Sequence, residues 1–200
     1  KSILFLGYVP PVNQMKTIGK TLNEELMFPL ELLYCPESSL VQISYDVDQK
    51  ILFPPEYPYT SGTTKILIDN FSQLYNRCKS LFKINKDSFI VDIGSNDGTL
   101  LKNFVNGSCR VLGIEPTDKA ELANLNGVES IQSFFNEKIV DKLLLEYPKA
   151  KIITAANVFA HITDIHDVVR GVKKMLLEDG IFISENHYLL DLVSTLQYDT

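Results

Sequence analysis

The residues best suited to chemistry lie in Phe89-Ile90-Val91-Asp92-Ile93-Gly94-Ser95-Asn96-Asp97-Gly98. Seventeen positions after the last glycine comes a second apolar run ending in an acid, Val111-Leu112-Gly113-Ile114-Glu115. Read physically, the two segments are a buried strand, a glycine-bearing turn, a helix, and another strand whose end presents a carboxylate. Glycine lets a ligand approach the backbone closely, and the acid sits where a ribose would place its two hydroxyls. The pair points to a nucleoside-bearing ligand. A dinucleotide fingerprint would need glycine at the third and sixth positions counted from Gly94, and these are Asn96 and Thr99. A pyrophosphate cradle therefore fails on spacing.

Alternating strands and helices must position this turn. Ile66, Leu67, Phe71, Leu74, Tyr75, Cys78, Leu81 and Phe82 recur at three- and four-residue spacing, which marks an amphipathic helix from Lys65. Strand 88–93 leads to a helix over 98–106, strand 109–115 and a short helix over 118–124. A weaker strand over 128–132 precedes a helix over 136–147. Strand 151–157 is followed by a helix over 164–177, which Gly180 breaks, and a fifth strand over 181–185. This order implies a Rossmann-like α/β fold: a mostly parallel sheet with helices on both faces. Ligands bind such sheets at the carboxyl ends of the strands, near the point where strand order reverses. Gly94, Gly98, Glu115 and Asn157 all fall at those ends.

Residues 1–64 read differently. They hold Pro10, Pro11, Pro29, Pro36, Pro54, Pro55 and Pro58, a density that rules out long helices. With strand-like runs such as Leu40-Val41-Gln42-Ile43, they suggest a small, irregular, β-rich N-terminal module ahead of a ligand-binding domain over 65–200. A net charge of −6 over 200 residues argues against nucleic acid as a partner. No apolar run approaches the roughly 20 residues that span a bilayer, and the first seven residues do not form a signal peptide. Cys35, Cys78 and Cys109 make no disulfide framework and fit a reducing cytoplasm. Cys78 and Cys109 read as core filler, and His166 lies on the polar side of a helix. Oligomeric state is left open.

The turn from Asp92 to Gly98 resembles the acid-x-Gly-x-x-x-Gly turn of the methyltransferases that use S-adenosylmethionine. That resemblance implies Asp92 facing the ammonium of the methionine moiety and Glu115 bonding the ribose hydroxyls, with Gly94, Ser95, Asn96, Gly98, Pro116 and Asn157 completing the cofactor set. A more selective resemblance is carried by Asp92-Ile93-Gly94-Ser95-Asn96-Asp97-Gly98 together with Glu56-Tyr57-Pro58-Tyr59-Thr60-Ser61-Gly62. Downstream it continues in Ala156-Asn157-Val158-Phe159-Ala160-His161-Ile162 and Glu185-Asn186-His187-Tyr188-Leu189-Leu190-Asp191. These segments resemble the deoxysugar C-methyltransferases, which act on nucleotide-linked 4-keto-deoxysugars. The likeness runs from Pro10-Pro11-Val12-Asn13 to Tyr198-Asp199-Thr200.

Two departures stand out. Family members carry an N-terminal zinc module built from two pairs of cysteines. Here Cys35 stands where the second pair would begin, Ser38 replaces its partner, and no upstream pair is present. One cysteine cannot make a closed four-ligand site, so no metal is expected. The family also continues past the Tyr-Asp-Thr segment into a Tyr-x-Glu-His motif that supplies much of its acid–base machinery, and then a substrate domain. The resemblance implies that this chain is part of a longer enzyme or a truncated one, with activity dependent on residues beyond Thr200.

The implied reaction removes the acidified proton beside the ketone and lets the resulting enolate take the methyl. It needs a base near the working pH and a donor for the enolate oxygen. His161 lies just past the fourth strand and His187 just past the fifth, both at the carboxyl edge. The resemblance gives His161 and a tyrosine, Tyr57 or Tyr59, contacts with the sugar. Two other readings remain open: methyl transfer to oxygen or nitrogen, and a cofactor-binding module without activity of its own.

Overall fold

The computed structural model describes residues 1–15, 18–19 and 25–197. The Tyr198-Asp199-Thr200 segment lies outside them. The chain divides into two compact units, one over 1–54 and one from Pro55 onward. Residues 55–64, which composition groups with the N-terminal module, pack in the second unit.

The first unit is an antiparallel sheet of β1 (Ser2–Val9), β2 (Phe28–Cys35) and β3 (Leu40–Ile43), with β2 in the centre. Its strands β1 and β2 are eight residues each, longer than the short runs expected from sequence. A single four-residue helix follows, α1 (Gln49–Leu52), capped by Asp48, whose carboxylate accepts from the Lys50 amide at 2.9 Å. The short helix agrees with what the prolines dictate.

The second unit begins with a 3₁₀ turn (Ser61–Thr63) and α2 (Lys65–Leu81), and then alternates. In order come β4 (Phe89–Ile93), α3 (Thr99–Asn106), β5 (Arg110–Glu115), α4 (Lys119–Leu125), β6 (Ser130–Gln132) and α5 (Glu137–Leu143). They are followed by β7 (Ala150–Ala156), a 3₁₀ turn (Phe159–His161), α6 (Ile165–Met175), β8 (Leu176–Glu185) and α7 (Leu189–Ser194). The sheet order is β6-β5-β4-β7-β8 and every pairing is parallel. From β4 the chain steps outward to β5 and β6, then returns to β7 on the other side. The strand order thus reverses between β4 and β7, where the Asp92–Gly98 turn stands.

Alternation along β4 splits the core in two. Phe89, Val91 and Ile93 pack with Leu112, Ile114 and Ile153 against α5 and α6, through Val140, Leu143, Val168, Val172 and Met175. Ile90 packs with Val111 and Ile152 against α2 and α3, through Phe71, Cys78, Leu100, Leu101 and Phe104. Both faces are covered, as parallel strands require.

Two boundaries differ from the sequence expectation. The helix expected to run to 147 ends at Leu143, because Tyr147 leaves the helical path to stack on Phe89 (5.7 Å, 12° between planes) ahead of Pro148. The helix expected to run to 177 ends at Met175, and β8 starts at once. The register jumps from Ala150↔Leu176 to Ile152↔Ile181, so residues 177–180 bulge out, pinned by Lys151 Nζ on the Asp179 carboxylate at 2.7 Å. Gly180 therefore serves the bulge rather than breaking a helix. A Cβ there would stand 2.9 Å from the Leu177 carbonyl oxygen and 3.0 Å from that of Ala150.

Phe104 is fully buried and meets Tyr75 edge-to-face at 5.1 Å, which ties α3 to α2 behind the turn. Phe104→Ala is expected to cost about 3–5 kcal/mol of folding stability, read as a lower urea midpoint with an unchanged slope.

Candidate functional site

The turn after β4 departs sharply from ordinary backbone. Gly94 (φ 68°), Asn96 (φ 49°) and Gly98 (φ 79°) all adopt left-handed conformations. Gly94 and Gly98 also have no space for a side chain: a Cβ would stand 2.4 Å from Val158 Cγ2 at the first and 2.8 Å from Val128 Cβ at the second. Asparagine tolerates the left-handed region better than other residues with a Cβ, which accounts for its place between the glycines.

Glu115 holds this turn closed. Its side chain is buried; Oε2 accepts from the Asn96 amide at 2.9 Å, and Oε1 accepts from the Thr117 amide at 3.0 Å and the Thr117 hydroxyl at 2.7 Å. A carboxylate offers about four acceptor positions, so one remains for a ligand hydroxyl rather than the two bonds expected from sequence. Pro116, partly buried, keeps its carbonyl toward the Gln132 amide.

Asn96 and Asp97 face the other way and fasten the segment from Pro55 to Gly62 along the carboxyl edge. Asn96 Oδ1 accepts from the Ser61 amide at 2.9 Å while its Nδ2 donates to the Tyr59 carbonyl at 3.3 Å. Asp97 Oδ2 accepts from the Gly62 amide at 3.0 Å, and its Oδ1 accepts from the Thr99 amide and hydroxyl at the start of α3. At the far end, Asp118 receives the Tyr57 amide and donates its own amide to the Pro55 carbonyl. The strap therefore carries Tyr57, half-buried, and Tyr59, exposed, across the ends of β4 and β5.

Asp92 is buried beside the turn on the α2/α3 face, with Thr154 Oγ1 donating to its Oδ1 at 2.6 Å. Loss of solvent pushes its carboxyl up to about 7, with the Glu115 charge adding to the rise and the Thr154 bond opposing it. Ser95 points its hydroxyl into the sheet rather than toward the turn; that hydroxyl and the Ser130 hydroxyl each lie 2.4 Å from the position of a Cβ on Gly113, and neither has a hydrogen-bond partner. Only glycine fits at 113.

On the other side of the turn, Asn157 ends β7 in a left-handed conformation (φ 56°). Its Nδ2 donates to Glu185 Oε1 at 3.3 Å, and Asn70 Nδ2 on α2 donates to Glu185 Oε2 at 3.0 Å. His161 closes the 3₁₀ turn beyond β7 and His187 lies just past β8, both exposed at the level of the whole residue. The His161 imidazole nevertheless lies against enough protein that loss of solvent, followed by the nearby His187 charge, pulls it below its ordinary value. His166 is exposed on α6, while Cys78 and Cys109 are buried.

The turn, the strap, Asn157 and both histidines thus share one edge of the sheet. Comparison with solved structures places the fold. The plantazolicin methyltransferase BpumL, in complex with a triazolic desmethylPZN analog and SAH, superposes with a TM-score of 0.50 at 14% identity, over 66% of this chain and 50% of its own. The larger unit has the class I methyltransferase fold. No family model matches the chain. A curated relative does: C-methyltransferase NovU of Streptomyces niveus is 30% identical over 177 residues, 88% of this chain. The chain spans 42% of that relative's length. Among the described residues, no helix of this methyltransferase fold is long and apolar enough to cross a membrane.

Sequence reasoning singled out the two acids and the glycines but missed five partners on which they depend. Thr117 and Thr154 fix the carboxylates, Asp97 and Ser61 bind the strap, and Glu185 holds Asn157. The adjacent Asn96-Asp97 pair and the Tyr-Pro-Tyr-Thr-Ser-Gly run were the visible signals for the strap. Nothing local marked the threonines.

The raised Asp92 carboxyl makes folding pH-dependent. Its folded value lies above the ordinary 3.8, so folding takes up a proton; the associated stability is fully present below about pH 4 and is lost as pH rises through 7. Relative to Asp92→Asn, the wild-type chain should lose on the order of 2–4 kcal/mol between pH 4 and pH 8, measured by urea unfolding of both proteins across that range.

Proposed function

We propose that this chain binds S-adenosylmethionine at the turn after β4 and forms the cofactor-binding part of a methyltransferase. Its acceptor is a carbon of a nucleotide-linked 4-keto-deoxysugar. The observation that carries the reading is the arrangement of two buried carboxylates around a left-handed turn at the switch point of a parallel sheet. Glu115 keeps one acceptor position for a ribose hydroxyl, and Asp92 stores a negative charge that a cationic ligand would draw out. Such a donor set fits a nucleoside carrying an ammonium group and a sulfonium. When bound, the cofactor supplies a methyl group on a positively charged sulfur.

The chain's own residues supply binding and part of the acid–base chemistry. The left-handed backbone of Gly94, Asn96 and Gly98 lets a ligand approach the turn, and Ser95 takes part through its main chain. Pro116 follows Glu115 and borders the ribose position. His161, held below its ordinary value, is neutral at pH 7 and is suited to accept the proton beside the ketone. Tyr57 and Tyr59 on the strap would offer hydroxyls to the enolate oxygen, and His187, just past β8, is a further candidate at the same edge. The sugar acceptor rests on the sequence resemblance and on the likeness to a C-methyltransferase over most of this chain.

Calorimetric titration with S-adenosylhomocysteine tests the site. The wild-type chain is expected to bind, and Glu115→Ala to bind about 10- to 100-fold more weakly, through the loss of one charge-assisted bond and of the turn's closure. A folded wild-type chain giving no heat at all would remove the cofactor assignment.

Asp92 gives a second readout. Below pH 7 it is protonated in the free protein, and an ammonium beside it favours the ionised form. Titration at pH 6 in two buffers of different ionisation enthalpy should show release of up to about one proton on binding, absent in Asp92→Asn.

A further inference from the structure

Glu185 has been described above only as the partner of Asn157, yet three elements converge on it. Its carboxylate lies at the carboxyl end of β8 and receives two side-chain amides, from Asn157 at the end of β7 and from Asn70 on α2. Its carbonyl oxygen accepts the Asn157 amide N–H at 2.8 Å as well. Asn157 is thus gripped at backbone and side chain by one residue, in a left-handed conformation. The next residue, Val158, is the one whose side chain fills the space over Gly94.

Carboxylate oxygens only accept hydrogen bonds. Each asparagine must therefore turn its NH₂ toward Glu185, which leaves the carboxamide oxygen of Asn157 outside that bond. β7 lies between β8 and β4, so the end of β7 stands between Glu185 and the glycine turn. We propose that Glu185 is a positioning residue that fixes Asn157 with its carbonyl oxygen, not its NH₂, toward the ligand, and so selects a positively charged sulfonium over a neutral thioether. The proposal rests on the S-adenosylmethionine reading above. An amide oxygen backed by a carboxylate presents a negative end to the ligand, and that field favours the cationic reactant over the product that has lost its methyl.

Glu185→Gln tests this without changing shape. A glutamine has one acceptor and one NH₂, so one of the two asparagines must meet a donor and flip. Calorimetric titrations with S-adenosylmethionine and with S-adenosylhomocysteine give an affinity ratio for each protein. The expected result is a fall of roughly 5-fold or more in the preference for S-adenosylmethionine, with S-adenosylhomocysteine binding little changed. Asn157→Gly, which keeps the left-handed backbone and removes the amide, should lower the ratio to the same extent and serves if Glu185→Gln does not fold. Asn70→Ala, which leaves the Asn157 grip in place, should hold the wild-type ratio. Equal weakening of both ligands, or an unchanged ratio in Asn157→Gly, overturns the role assigned to Glu185. A wild-type chain that binds neither ligand overturns the cofactor reading instead, and the two failures are told apart by that first titration.

Discussion

A single buried carboxylate decides the geometry of this protein's working edge. Glu115 reaches from the end of β5 to the Asn96 amide in the neighbouring turn and to Thr117 in its own loop. A buried carboxylate of this kind is tolerable only when donors reach its oxygens. The two loops supply those donors, and in doing so they are held at a fixed separation across the end of β4. A left-handed residue at 96 would otherwise have little to keep it there, because such a backbone persists only where its surroundings over-determine it.

With Asn96 fixed, the rest of the edge follows. Its side chain is free of the turn and bonds the strap on both sides of Thr60, at the Tyr59 carbonyl and the Ser61 amide. Asp97 repeats the arrangement one residue later, dividing its oxygens between Gly62 and the first turn of α3. A Cβ on Gly62 would come within 2.6 Å of Asp97 Oδ2, so the strap closes only with glycine there. The Asn96-Asp97 pair in the turn is thereby explained without reference to a ligand: these are the side chains that carry the strap with its tyrosines. What sequence likeness ties together as two separate motifs, the structure joins as one hydrogen-bonded unit.

This accounts for what could and could not be read from the chain. The strand-turn-helix-strand pattern, the parallel sheet and the edge at which the histidines stand all follow from local apolar periodicity and from glycine placement. Only the resemblance brought Tyr57 and Tyr59 to that edge. Helix ends were less legible, since Tyr147 stacking on Phe89 and the bulge facing Lys151 are decided by residues far away in sequence. The same holds for the partners of the acids. Thr154 meets Asp92 across 62 positions and Asn70 meets Glu185 across 115. No periodicity within either segment encodes such a pairing. The number of ligand bonds left to Glu115 was hidden for the same reason, because it depends on how many donors the protein itself brings.

The two acids nearest the turn are treated in opposite ways, and the contrast has a physical cause. Glu115 collects three donors, whereas Asp92 receives one hydroxyl, in a region without solvent and under the influence of the Glu115 charge. Loss of solvent, with the Glu115 charge adding to it, favours the protonated form of Asp92, and its single hydroxyl bond does not offset the rise. A carboxyl held in this state ionises more readily when a cation stands beside it, which is the response the proposed site relies on. On the reading proposed above, such a site would favour a cationic ligand by charge, and the buried acid is what the free protein carries for that response.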